Sequence, residues 1–501
     1  MSSKAKTLTR GSGLRIGHFF VHSLVALMLM PFIIRSLGNR MYGLWIVVGT
    51  FTGYYWLFDL GLGSAIQRYV SRAIGRKDYH EANVVINTTL FLFSILGLCI
   101  LLTSVIVAAV GPLLIRDIAQ DTLTFQKIIL ILGIGFAIDF PMRVFSGILT
   151  SHIRYDLKTS IGLFTLAART ILIVVFLKNG YGIFALALIT IAVNMLRYVM
   201  TFFVAKGVAG YLVISKKFID RKQIKSLFRY SGFTFINQIA TRLRFHIDNF
   251  VIAAFLGLSF VTIYSIAARL IRYFMEFILS AIGIMVPVFS QYEAKGDYAS
   301  IRNKFLFMTK ISGYLSILIG GILIIFGRAF IQRWMGQDYI SAYPVLVVLV
   351  VGIIFSCIQT PSAQLLYGIS KHKFYAILNS IEGVANIILS VILVKRFGLM
   401  GVALGTTIPM IINKVFIQPV YTCRVVHLGV YTYYCKVLIP TLLKSAGIFA
   451  GLWYFCKSFI VANYMQLTIL VACISVVFAG FVFLAGLTRI ERSYFKRIIY
   501  S

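Results

Sequence analysis

Long apolar segments alternate with short polar or basic loops along the whole chain. Fourteen of them stand out, at about 14–36, 44–73, 84–110, 127–149, 159–177, 183–205, 230–256, 262–290, 304–327, 343–366, 374–395, 398–421, 436–458 and 465–487. Most reach the roughly 20 residues that cross a hydrocarbon core, so the pattern predicts an all-α polytopic membrane protein with about 14 transmembrane helices. The heaviest basic loop, 206–229, contains SKKFIDRKQIK and parts the sixth span from the seventh. The expected organisation is a cytoplasmic tail at 1–13, a six-helix lobe at 14–205 and the basic inter-lobe loop at 206–229. A second six-helix lobe at 230–421, two extra helices within 422–487 and a cytoplasmic tail at 488–501 follow.

The two lobes read as copies of one another. Leu37-Gly38 is followed 40 residues later by Asp78-Tyr79, and Leu256-Gly257 is followed at the same spacing by Asp297-Tyr298. Asp139-x-Pro141 matches Gln359-x-Pro361, Lys178-x-Gly180 matches Arg396-x-Gly398, and Asn194 matches Asn413, all at offsets of 218–220. Six is an even number of crossings, so the copies run in the same direction and form a parallel internal repeat around a central cavity. Such lobes can rock between inward-open and outward-open states.

Polar residues inside the spans change the picture most. The stretch TRLRFHIDNFVIAAFLG in the seventh span carries Arg242, Arg244, His246 and Asp248. Arg244 and Asp248 share a face at i,i+4, and Arg242 and His246 share another. Arg269, Arg272, Tyr273 and Glu276 recur on one face of the eighth span, and Asp139 and Arg143 flank Pro141 in the fourth. Asp59, Arg169, Glu382 and Lys414 lie in the second, fifth, eleventh and twelfth spans. A charge at that depth costs about 2.5–3.5 kcal/mol, so each should face protein, water or a ligand. These charges either lock helices together or line a cationic pocket, and the surplus of bases favours a bound anion such as phosphate.

Composition agrees with the membrane reading: 59% of the residues are hydrophobic and 13% charged. The net charge of +33 would suggest nucleic acid in a soluble chain. Here short basic loops explain most of it, with about 27 Lys and Arg on one side of the membrane against about 9 on the other, which places both termini in the cytoplasm. The six cysteines form no CxxC pair, and His18 and His22 have no third ligand nearby, so neither a disulfide framework nor a metal site is expected. No HExxH, GxSxG or Walker A motif occurs, and the reading carries no catalytic residue and no cofactor.

The segment LGNRMYGLWIVVGTFTGYYWLFDLGLGSAIQRYVSRAIGRKDY resembles the first helices of bacterial polysaccharide transporters, the Wzx-type flippases. These belong to the multidrug/oligosaccharidyl-lipid/polysaccharide (MOP) exporter superfamily. The pattern stands here as Leu37-Gly38, Tyr42-Gly43-x-Trp45 and Asp59-Leu60-Gly61-Leu62, and in the second half as Asp248, Leu256-Gly257, Tyr264 and Ala267. RFGLMGVALGT, into the twelfth span, is also similar. The resemblance implies a flippase that carries undecaprenyl-pyrophosphate-linked oligosaccharide to the outer leaflet of the bacterial inner membrane. The cargo would serve O-antigen, capsule or exopolysaccharide, and an ion gradient would drive export. It also implies Arg143, Arg242, Arg244, Arg269, Arg272 and Lys414 as pyrophosphate ligands. Asp59, Asp139, Asp248 and Glu276 would serve ion coupling or charge pairing, although Asp139 has Gln359 at its repeat position. The partners implied are the lipid-linked substrate, membrane lipids, a polysaccharide polymerase and other assembly proteins, with no nucleic acid. Three alternatives stay open: a MATE-like drug/cation antiporter with an acidic cavity, a membrane-embedded glycan polymerase or glycosyltransferase, and a non-transporting scaffold.

Overall fold

The structure, a computed structural model, describes residues 3–225, 227, 247–283, 285–456, 463–488 and 491–492. Arg242, Arg244 and His246 therefore lie outside the described residues. The chain forms two compact units, Met1–Thr262 and Ile263–Ser501. Eleven described stretches are helical, long and apolar enough to cross a membrane. Two of these are interrupted, at Gly38 and Gly398, and each spans two of the helices expected from the sequence.

The N-terminal unit contains α1 (Ser3–Tyr54), α2 (Leu62–Gly75), α3 (Tyr79–Val110), α4 (Thr122–Ser151), α5 (Tyr155–Lys178) and α6 (Gly182–Val208). Helix α4 packs along α3 and α6, α5 along α6 and α1, and α2 against α3 and α4. Their shared core includes Tyr55, Ile66, Phe93, Phe140 and Ile148. Leu98, Leu102, Val105 and Ile106 on α3 are exposed, as expected of a face that meets lipid instead of water.

The Leu-Gly motifs are turns. Gly38 has φ 76° and Gly257 has φ 99°, values that only glycine adopts without strain. The Asp-Tyr motifs are helix caps: Asp78 accepts from Glu81 N at 2.8 Å, and Asp297 accepts from Ser300 N at 2.9 Å. The Ser300 interactions hold the Asp297 carboxyl below the usual carboxylate range. One expectation needs correction. The apolar run predicts a single helix over 44–73, but the structure breaks it with a 3-10 turn at Tyr55–Asp59 and left-handed Leu60 and Gly61.

The basic loop after α6 is fixed to the N-terminal unit by side chains of α3. Asn83 donates to Tyr211 O and accepts from Val213 N, both at 2.9 Å. One turn later Asn87 donates to Val213 O at 2.8 Å and accepts from Ser215 N at 2.9 Å. Two amides at i,i+4 thus satisfy an extended backbone much as a neighbouring strand would. Tyr211 stacks on Tyr79, and burial followed by that neighbour pushes its phenol up to about 12. Replacing both Asn83 and Asn87 with alanine should leave membrane insertion intact. Limited trypsin digestion of the purified protein should then cut at Lys216 and Lys217 about tenfold faster or more, since each lost buried hydrogen bond is worth about 1 kcal/mol. An unchanged digestion rate would show that the clip carries no stability.

The C-terminal unit contains most of α7 (Leu258–Ile282), then α8 (Met285–Ala294), α9 (Tyr298–Trp334), α10 (Ala342–Ile358), α11 (Thr360–Gly368) and α12 (Lys373–Ile411). A π-helical turn at Ile412–Ile417 leads into α13 (Gln418–Val425), and α14 (Ile439–Cys456) and α15 (Tyr464–Phe481) follow. Pro409 and Pro419 flank the π-turn, so the backbone bonding is irregular on both sides of it. Phe289, Phe305, Leu365 and Tyr433 share the core of this unit.

Candidate functional site

The break in the second span sets the first site residue. Because the chain reverses at Leu60 and Gly61, the Asp59 carboxylate folds back to accept from Gly63 N at 3.3 Å. Its other oxygen accepts from Arg143 Nη1 at 3.2 Å. On α4 the i,i+4 spacing brings Arg143 Nε and Nη2 to Asp139 Oδ2 at 2.9 and 2.7 Å. Asp139 Oδ1 accepts from the Tyr198 hydroxyl and forms an ion pair with Arg197 Nη2 at 3.6 Å, both on α6. The structure therefore joins Asp59, Asp139 and Arg143, and adds Arg197 and Tyr198, which sequence reasoning missed.

Asp59 and Asp139 are 5% and 8% exposed, buried enough that an unpaired charge there would be costly. Arg143 lies between them and over the ring of Trp56, 4.0 Å from its centroid. This cation–π contact and the two carboxylates fix the guanidinium from three sides.

The cluster forms one wall of a cavity of about 510 Å³ inside the N-terminal unit, a volume within the range of small-molecule sites. Lys158 and Arg197 add positive charge, Trp56, Tyr155 and Tyr198 add rings, and Ser146, Thr159 and Thr201 add hydroxyls. Three cations thus line the cavity against one carboxylate, Asp139. The arrangement can hold an anion at its guanidinium and ammonium groups while the rings and hydroxyls contact a sugar-like body. Lys158 escaped the sequence reading because it lies at a span end, where basic residues usually serve topology, whereas Arg197 lies well inside the sixth span and carries no motif that marks it.

A second polar cluster lies in the C-terminal unit. Lys414, in the π-turn, is 2% exposed and donates to Asn379 Oδ1 and Gln418 Oε1, each at 2.8 Å. Glu382 stands 3.5 Å from its ammonium and accepts a shorter bond, 2.6 Å, from Asn413. Lys414, read from sequence as a pyrophosphate ligand, is in this structure engaged by buried side chains. Arg269 and Glu276 on α7 are half-buried, Arg272 is exposed, and Asp248 is buried in the N-terminal unit.

The model of the family described as "Polysaccharide biosynthesis protein" matches residues 41–344, more than half of the chain. The chain is 24% identical over 412 residues to a putative O-antigen transporter of Shigella flexneri, covering 81% of this chain and 95% of that one. It is 22% identical over 482 residues to the uncharacterized membrane protein EpsK of Bacillus subtilis, covering 95% and 94%. Among solved structures, the lipid II flippase MurJ in an inward closed conformation superposes with a TM-score of 0.70 at 16% identity, over 94% of this chain and 98% of that one. That likeness establishes the fold, an all-α multi-pass membrane fold. The match across residues 41–344 shows that the chain belongs to the polysaccharide biosynthesis protein family.

Proposed function

We propose that the protein is a flippase for undecaprenyl-pyrophosphate-linked oligosaccharide. It moves this cargo by alternating access from the cytoplasmic to the outer leaflet of the bacterial inner membrane, with both termini cytoplasmic. The observation that carries the proposal is the cationic cavity of the N-terminal unit, in a chain of the polysaccharide biosynthesis family. The name of the Shigella relative, an O-antigen transporter, supports a surface polysaccharide as the end use. A drug/cation antiporter would call for an acidic cavity, and the lining has the opposite sign.

In this proposal Lys158 and Arg197 receive the pyrophosphate, and the rings of Trp56 and Tyr155 receive sugar. Arg269 and Arg272, together with Arg242 and Arg244, stay in the phosphate-binding set as proposed ligands, and Asp248 and Glu276 stay as proposed pairing groups. Lys414 leaves the set because its ammonium is buried and engaged. Asp139 couples the cycle by competing with the cargo for Arg143 and Arg197, while Asp59 keeps its own hold on Arg143.

The test is leaflet accessibility of the lipid-linked glycan in cells carrying Lys158→Ala/Arg197→Ala. Two charge-assisted bonds at about 1.5–3 kcal/mol each predict a fall in translocation of about 100-fold or more, with intermediates held on the cytoplasmic face. Wild-type translocation by a normally inserted double variant sinks the cavity assignment. Undiminished export after deletion of the gene, in a strain with no second transporter, sinks the flippase reading.

A further inference from the structure

The Lys414 cluster and the N-terminal cavity are built from matching positions. Asp139, Tyr155, Thr159, Gly162 and Tyr198 line the cavity. The residues 220 positions later are Gln359, Tyr375, Asn379, Glu382 and Gln418. Every one of these belongs to the buried cluster of the C-terminal unit. Asn379 and Gln418 bind the Lys414 ammonium, Glu382 stands beside it, and the Tyr375 ring lies 5.2 Å from it. Gln359 joins through its backbone carbonyl, which accepts from Gln418, and its side chain donates to Tyr433. Where the N-terminal unit keeps an open cavity, the matching positions of the C-terminal unit close around an ammonium group.

The donors and acceptors of this cluster do not balance. Gln359 and Asn413 are 2% and 4% exposed, yet the Oε1 of one and the Oδ1 of the other have no hydrogen-bond donor among the described residues. Asn379, Gln418 and Glu382 place three oxygen acceptors beside the one positive charge, and the Tyr375 ring faces it. Oxygen atoms, a carboxylate and an aromatic face are what a small monovalent cation needs. Glu382 is not the nearest partner of Lys414, so neutral amides hold the ammonium as they would hold a free ion.

We propose that the C-terminal unit contains a binding site for a small monovalent cation, and that Lys414 fills it with its own ammonium. The lysine is a tethered ligand that keeps the site permanently loaded and ties the π-turn to α12. Removing the side chain leaves a cation site that free methylammonium or an alkali ion can occupy. The inference does not rest on the transport reading, and its test needs no transport assay.

The experiment is thermal unfolding of purified full-length Lys414→Ala in sodium, potassium or methylammonium chloride, with bulky N-methylglucamine chloride as the control. The variant is expected to unfold below the wild type and to regain about 2 °C or more, dose-dependently, in methylammonium or an alkali ion. The wild type and Lys414→Ala/Glu382→Gln are expected to show no such response. Equal midpoints for Lys414→Ala in all four salts overturn the proposal. If Lys414→Ala fails to accumulate, cells are grown with methylamine and compared with Lys414→Met/Glu382→Gln, which lacks an unpaired charge. Recovery of Lys414→Ala supports the tethered-cation site. No recovery, while the double variant accumulates normally, overturns it.

Discussion

Arg143→Ala is expected to cost about 3–5 kcal/mol of stability and to leave little folded protein in the membrane. The residue holds two buried aspartates at 3.2 and 2.7 Å, and its removal leaves Asp59 without that guanidinium and Asp139 with the longer Arg197 ion pair and the Tyr198 hydroxyl. Arg143→Lys should recover part of the loss, because an ammonium supplies charge but cannot reach both acids with a planar fork. Adding Asp139→Asn to Arg143→Ala removes one buried negative charge and should restore folded protein while translocation stays low. Size-exclusion profiles and unfolding midpoints in one detergent measure the first effect, and leaflet accessibility measures the second. Wild-type stability of Arg143→Ala would mean that water, and not the guanidinium, neutralises these acids.

Gly43→Val is expected to abolish the fold. A Cβ at this position would overlap the backbone carbonyl of Leu258, which cannot move aside as a flexible side chain could. Overpacking commonly costs about 1–3 kcal/mol, and a clash with backbone should exceed that range. Gly49→Ala is the control: the added methyl meets no atom within 4 Å, and the helix gains about 1 kcal/mol of propensity. The comparison separates a general dislike of larger residues in α1 from a specific demand for close approach at Gly43. If both variants give equally monodisperse protein, the contact between Gly43 and Leu258 is not required. The Tyr-Gly-x-Trp pattern would then need another explanation than packing.

Some of this was legible in the chain because it is local. Asp139 and Arg143 pair across one helical turn as their i,i+4 spacing suggests, and the Leu-Gly and Asp-Tyr landmarks stood out in the sequence although their roles as turns and helix caps did not. What lay beyond reading depends on how helices cross. Arg143 meets Asp59 across a separation of 84 positions, and nothing in either neighbourhood announces it. The break at Tyr55–Gly61 was hidden because an uninterrupted apolar run scores as helix whether or not it is kinked. Lys414 looked like a cavity cation because sequence shows its depth but not its direction. The π-turn rotates it toward Asn379 and Glu382, and no propensity scale predicts that turn.

The same π-turn changes the spacing along the helix that holds it. Asn194 and Asn413 are 219 positions apart, whereas Tyr198 and Gln418, on the far side of the turn, are 220 apart and both touch the residue at 139 or 359. Between those landmarks the C-terminal stretch is one residue longer, and a wide turn is how a helix absorbs one residue without shifting its ends. The extra residue falls where Lys414 turns its ammonium inward, so the length of this turn sets which side chains the buried charge can reach.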